Sequence, residues 1–296
     1  MPRTKHHDTP EPTTRATRHA LDQRRISRLD ISHPPTEGST PDPQDAAVSK
    51  VQIPQYRRRA ILAVWAAAAL PMAALAWLVP PAVADQLSGE GNLPMVKALL
   101  LCLTVGLIWQ FVLVAILVGR EQRTLRWSTL REALWLRAPR SPRSGRVGGW
   151  LWLILIPLTV AFAAEGFLPG PPVPNDRDWN AFLESDAGQS FLSGNWVWFD
   201  VMVVLWIFNT VLGEELLFRG LLLPRMNGAF GRGDWVANGV LFAAYHLHVP
   251  WVIPATLLDT FIISYPAKRY RSAWIGIAVH SSQSVFFAAI VLALVL

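Results

Sequence analysis

A chain of 296 residues that is 52% hydrophobic and only 16% charged is not an ordinary soluble domain, in which about a quarter of residues are charged. Its net charge of +6 and pI near 10.0 do not point to nucleic acid, because the basic residues lie between apolar runs, where positive-inside topology accounts for them. The single cysteine, Cys102, excludes a disulfide framework and a cysteine metal site.

Residues 1–56 are rich in Pro, Thr, Asp, His and Arg without apolar periodicity and are predicted to be a disordered tail. No apolar core follows the N-terminal charges closely enough for a signal peptide. The adjacent His6 and His7 read as solvated tail residues. From residue 57 the pattern changes to a polytopic, all-α membrane bundle (57–296) of about seven spans. Ala60–Val79 follows three arginines, and Val96–Val118 follows a loop holding Asp85 and Glu90. Arg120–Arg146 is a loop with eight arginines and two glutamates. It reads as a topology anchor. Trp127, Leu130, Leu134 and Trp135 are spaced for an interfacial amphipathic helix, with anionic lipid or a partner's acidic tail as the sharper alternative.

Gly149–Leu168 is the third span, followed by a Pro-rich loop with Asp176, Asp178, Glu184 and Asp186. Trp196–Leu223 is about 42 Å long as a helix, so it must tilt, break or project from the bilayer. Trp235–Val249, a short sixth segment Val252–Tyr265 with Pro250 and Pro254 at its start, and Ala273–Leu296 complete the set. Tryptophans at the ends of the runs (Trp77, Trp150, Trp196, Trp235, Trp274) suit an interfacial belt. With the tail in the cytoplasm, all the arginine-rich loops fall inside and the acidic loops outside, giving an N-in, C-out topology.

Within these spans the informative residues are charges where charge is costly. An ionisable side chain at a membrane-helix centre costs roughly 2.5–3.5 kcal/mol, yet Glu214, Glu215 and Arg219 share one apolar run. His246 and His280 lie in two further runs. Counted along the helices, Glu214, His246 and His280 sit about 13, 16 and 10 Å from the cytoplasmic ends of their spans, which predicts one site open to the cytoplasm. Glu215 and Arg219 are i,i+4 neighbours and can pair, while Glu214 projects about 100° away and stays free. Phe242, one turn before His246, can limit that ring's rotamers, and Gln283 and Ser284 follow His280 on its face as hydrogen-bond donors. A base, imidazoles and a donor are the parts needed to activate water against a peptide carbonyl.

The blander readings are a packing clamp for Glu215–Arg219 and helix–helix hydrogen bonds for the histidines. His248 reads as interfacial, pointing away from His246. Asp259 reads either as an orienter or as a helix contact. Glu165 and Asp200 fall near the outer boundary, and Asn209 reads as interhelical glue.

The run Glu214-Glu215-Leu-Leu-Phe-Arg219-Gly220, then Phe242-x-x-x-His246, then His280 in the last span, resembles the CAAX-protease and bacteriocin-processing (CPBP, Abi) intramembrane proteases, over about residues 199–288. This family includes type II CAAX prenyl endopeptidases and lysostaphin-resistance-like proteins. The resemblance implies a membrane-embedded endopeptidase in which Glu214 activates water, His246 and His280 assist it or hold a metal, and Glu215 and Arg219 shape the site. Where that family usually has Asn four residues after the last histidine, this chain has Ser284, and Gln283 is the nearest amide. Both a metal-free mechanism and a zinc held by Glu214, His246 and His280 with an open fourth position are compatible with these residues. The expected substrate is a membrane-anchored or lipidated protein or peptide within the cell membrane, a prenylated one being only one option. A non-catalytic immunity or scaffold protein is the alternative. A proton-coupled transporter is disfavoured by the lack of an internal repeat.

Overall fold

The computed structural model describes residues 51–296, and the predicted tail with His6 and His7 lies outside them up to residue 50. Among the described residues every regular element is helical. The long helices are α1 (Arg58–Trp77), α2 (Leu93–Gln122), α4 (Trp196–Arg225) and α7 (Ala273–Val295), each long and apolar enough to cross a membrane. The other expected spans are shorter. α3 is Gly149–Glu165, and α5 is Asp234–Tyr245. The sixth pass is broken into Ile253–Thr256, Thr260–Ser264 and α6 (Tyr265–Tyr270). Pro250, Pro254 and Pro266 each remove a backbone donor from this stretch, which explains the interruption.

Hydrogen bonds tie the passes into register at two ends. At the basic end Tyr56 N–H donates to Arg225 O (2.8 Å), Arg58 Nε to Ala229 O (2.7 Å) and Arg140 N–H to Tyr270 O (2.9 Å). At the acidic end Trp77 Nε1 donates to Leu247 O (2.8 Å), Arg177 Nη1 to Ala76 O (2.8 Å) and Gly194 N–H to Val295 O (2.9 Å). The chain therefore runs back and forth between these ends. Large apolar side chains such as Leu70, Val105, Val160, Val197, Phe261 and Phe286 are exposed along the passes. A helix that is apolar all round and still exposed is one solvated by lipid.

The main core surrounds the second half of α4, where Leu216–Leu223 are wholly buried against Ile61, Leu107 and Tyr245. A smaller cluster lies at the acidic end. There two short helices, Trp179–Glu184 and Asp186–Leu192, set Phe182 and Leu192 against Met202 and Val291. Asp178 and Ser185 cap them, accepting from Ala181 N (3.0 Å) and Gly188 N (3.1 Å).

Two sequence expectations change in detail. Val51, Ile53 and Tyr56, read as the end of the tail, pack on the core. In the arginine-rich loop the helix Trp127–Ala133 forms, but of the four apolar residues expected on its lipid face only Trp127 is well exposed. Leu134, Trp135 and Leu136 are buried, because Trp135 turns with φ of 51° and its carbonyl accepts from Ala273 N at 2.9 Å. This packing, with the fully buried Arg225, plugs the basic end. Arg225 Nη2 meets Glu121 Oε2 at 2.6 Å and its Nη1 donates to the carbonyls of Ala133 and Leu221 at 3.1 and 3.0 Å. The Tyr56 hydroxyl also bonds Glu121 and is pushed up from its ordinary pKa by burial and by that carboxylate.

Candidate active site

α4 is an ordinary helix as far as Ile207. Its turns then widen to i→i+5 hydrogen bonding over Phe208–Gly213 and again over Leu216–Leu222. Glu214 and Glu215 stand at the joint between the two wide segments. Such π-helical turns are uncommon and concentrate at functional sites.

The two glutamates have different surroundings. Glu215 Oε1 accepts from Arg219 Nη1 at 2.9 Å, with both side chains fully buried. The same oxygen lies 3.2 Å from His280 Nδ1, so it also holds that ring. Arg219 passes the network on. Its Nη2 donates to Ser264 Oγ (3.3 Å), Ser264 donates to Asn238 Oδ1 (3.1 Å), and Asn238 Nδ2 donates to Phe218 O (2.9 Å). The guanidinium lies 4.0 Å from the centre of the Phe242 ring, a cation–π contact. Gly276, one turn before His280 on α7, makes room for this arrangement, since a Cβ there would overlap the Glu215 carboxylate.

Glu214 is 1% exposed, and its Oε2 has no hydrogen-bond partner among the described residues. The Tyr245 hydroxyl faces it. That hydroxyl accepts from Gln110 Nε2 at 2.6 Å, which leaves its own proton for the carboxylate. Neither Tyr245 nor Gln110 was singled out from sequence. The available signals were a lone amide within the apolar α2 and a tyrosine directly before His246.

His246 Nδ1 lies 3.0 Å from Phe242 O and must donate to it, which leaves Nε2 as the outward nitrogen. Phe242 meets the His246 ring edge-on at 4.9 Å and the His280 ring at 6.0 Å. Phe162 of α3 meets His280 from another side at 5.6 Å.

His248 does not point away from His246. It is buried and stacked on His246, with ring centres 5.4 Å apart and planes 22° apart. α5 ends at Tyr245 and tightens into the three-residue turn His246–His248 before Pro250, so the α-helical phase that would separate the two rings is lost. Its Nδ1 has no partner. Glu165, the last residue of α3, is buried, as is Asp259. Asp200 is exposed, as a boundary residue should be. The buried polar atoms without partners (on Gln110, Glu165, Glu214, Glu215, Arg219, His248 and Asp259) all belong to this region. Buried groups left this way are rare and call for a functional explanation.

Two cavities reach the edge of the polar cluster at His248, and neither lining includes Glu214, His246 or His280. The larger, about 600 Å³, opens among Glu90, Asn92 and Asn175–Asp178 at the acidic end. The smaller, about 190 Å³, is lined by Asn209, His248, Gln283 and Ser284 on its polar side. Leu103, Trp179, Leu205, Trp206 and His248 wall both. The sequence places the opening at the basic end, whereas both cavities lie beside residues of the acidic end. The buried Arg225 and Leu134–Leu136 fill the other side.

The zinc alternative does not fit the arrangement. Among the described residues no group of three or more His, Cys, Asp or Glu is spaced to hold a metal. His246 and His280 each turn Nδ1 to a protein acceptor, which leaves Nε2 free as in many metal-bound histidines, but the carboxylate oxygen beside His280 belongs to Glu215 rather than Glu214.

Residues 196–286 match the family model described as Rce1-like, type II CAAX prenyl endopeptidase Rce1-like. The match spans the motifs of Glu214–Arg219, Phe242–His246 and His280 and bears out the resemblance read from them. No curated protein and no solved structure matches the chain.

Proposed function

We propose, from the premise that residues 196–286 carry the core of the CAAX-protease family, that the protein is a multi-pass intramembrane endopeptidase acting on a membrane-anchored, lipidated protein or peptide. The observation that carries this reading is the asymmetry of the glutamates. Glu215 Oε1 is bound by both Arg219 and His280, whereas no cation or ring nitrogen bonds Glu214 among the described residues; each carboxylate keeps its Oε2 without a partner inside the bundle.

In this mechanism Glu214 accepts a proton from water as the water oxygen bonds to the scissile carbonyl carbon. The resulting tetrahedral species breaks its C–N bond, and the carboxyl returns the proton to the departing amine. Tyr245, fixed by Gln110, orients the carboxylate. His246 offers Nε2 to the water or substrate, because Phe242 O holds its other nitrogen. His280 is aligned by Glu215, whose own position Arg219 secures. Preorganised donors in a dry cavity stabilise the developing oxyanion more than they would in water.

The apolar chamber at the acidic end receives the substrate's membrane-buried segment. With the basic end cytoplasmic, as the positive-inside rule favours, the mouth of this chamber lies on the side opposite to the cytoplasmic opening expected from sequence.

The test compares protein termini in membrane fractions of cells carrying wild type or Glu214→Gln at matched protein level. Ends present only with wild type are expected, and they name the substrate. Identical end profiles with the cellular phenotype preserved in Glu214→Gln would move the protein to the immunity or scaffold class.

A further inference from the structure

We infer that Asn209 is a further catalytic residue, whose carboxamide donates a hydrogen bond to the carbonyl oxygen under attack; this rests on the protease reading above. A peptide carbonyl that becomes an oxyanion needs at least one fixed donor opposite the base. The residues already placed in the reaction do not supply an obvious one. Arg219 gives Nη1 to Glu215 and Nη2 to Ser264, with only its fully buried Nε left unpartnered, and the Nδ1 atoms of both site histidines are engaged.

Asn209 meets the need through the shape of its helix. On a regular α-helix, positions 209 and 214 would project about 140° apart. In α4 the turn between them is π-helical, and Glu214 N–H bonds Asn209 O directly. The backbone of the two residues is thereby brought one above the other on α4, with Glu214 buried behind the cavity that Asn209 lines. Asn209 is half-buried and lines the smaller cavity. Unlike its neighbour Thr210, which accepts from Ser281 Oγ at 3.0 Å, its side chain is drawn into no hydrogen bond among the described residues. That Thr210–Ser281 bond fixes α7 against α4 beside the cavity, and Ser284, one turn on, lines the same space.

The alternatives on the cavity wall are weaker donors for this purpose. Ser284 offers a single hydroxyl. Gln283 is exposed and carries one more rotatable bond to immobilise. Asn209 offers two N–H groups on a short side chain, carried by the same helix as the base. The buried ring of His248, its Nδ1 unpartnered, closes the cavity beside it and keeps the polar wall shielded.

The experiment uses the full chain in membranes and reads the rate at which the wild-type-specific ends appear after a pulse of synthesis. Asn209→Ala is expected to slow that rate about 10²–10³-fold, the usual effect of deleting an oxyanion donor. Asn209→Asp, which keeps size and hydrogen-bonding backbone but removes the N–H groups, is expected to slow it as well. It also serves as the decisive variant if the alanine form does not accumulate. Ser284→Asn placed on the Asn209→Ala background is expected to recover cleavage, because it returns an amide to the same cavity. A merely structural role for Asn209 would not be rescued from α7. Wild-type rates in Asn209→Asp, or loss in Asn209→Ala without recovery by Ser284→Asn, overturn the assignment while Glu214→Gln still reports on the protease reading itself. Ends unchanged by Glu214→Gln would remove both.

Discussion

Adjacent residues of the same chemistry have separate tasks here because their partners differ. Glu215 accepts from Arg219 and His280, while Glu214 bonds to no charged group and has the Tyr245 hydroxyl beside it. The line Gln110–Tyr245–Glu214 predicts that Tyr245→Phe leaves the fold intact, since the ring stays in its contacts with Phe218 and His246. The cleavage rate should fall by roughly 10–150-fold, the equivalent of a hydrogen bond to a charged group at about 1.5–3 kcal/mol. Unchanged cleavage in pulse-labelled membranes would detach Tyr245 from the site. At this scale the sequence was informative where polarity contrasts with an apolar run, as at Glu214, Glu215, Arg219, His246 and His280. It was silent on Tyr245 and Gln110, whose importance lies in which residues they meet across 135 positions of chain. It misplaced His248 because periodicity was extended past the point where α5 tightens into a different turn.

Elements approach closely where the site is built. α7 touches α4 through Gly276, and α5 touches the sixth pass through Gly239, where a Cβ would overlap Thr260. Gly276→Ala is therefore expected to push the Glu215 carboxylate away from Arg219 and His280. Overpacking of this kind costs about 1–3 kcal/mol. Thermal unfolding in detergent should show a lowered midpoint together with reduced cleavage, and an unchanged midpoint would mean that α7 yields freely. The four long helices were legible because their hydropathy is continuous. The fifth and sixth passes were less so, because prolines and short pieces disguise them. The wide turns of α4 had no sequence signal, since the choice between i→i+4 and i→i+5 bonding depends on what presses against the helix from α2, α5 and α7.

For the whole molecule, the charge asymmetry read from sequence survives as two physical ends. The basic end is closed by Arg225, Glu121 and Tyr56, and the acidic end holds the chamber. Depth counted along separate helices placed the polar residues at a common level but could not say which side was plugged, because the plug comes from the folded-back Leu134–Leu136. The orientation is open to direct measurement. In a Cys102→Ala background, Asn175→Cys should react with a membrane-impermeant thiol reagent on intact cells, whereas Arg143→Cys should react only after permeabilisation. Both native positions are exposed, and Cys102 itself is buried. The reverse pattern would return the chamber mouth to the cytoplasm.

The wide turn between Asn209 and Glu214 also sets how this segment answers to changes in length. A π-turn accommodates one residue more than an α-turn without displacing either end of the helix. Losing Val211 would let the segment relax to ordinary bonding with Asn209 and Glu214 still stacked, now four positions apart. Gaining a residue at the same place would leave no regular turn able to hold them together. Slack of one residue in one direction only makes this stretch forgiving of a codon's deletion and intolerant of its duplication.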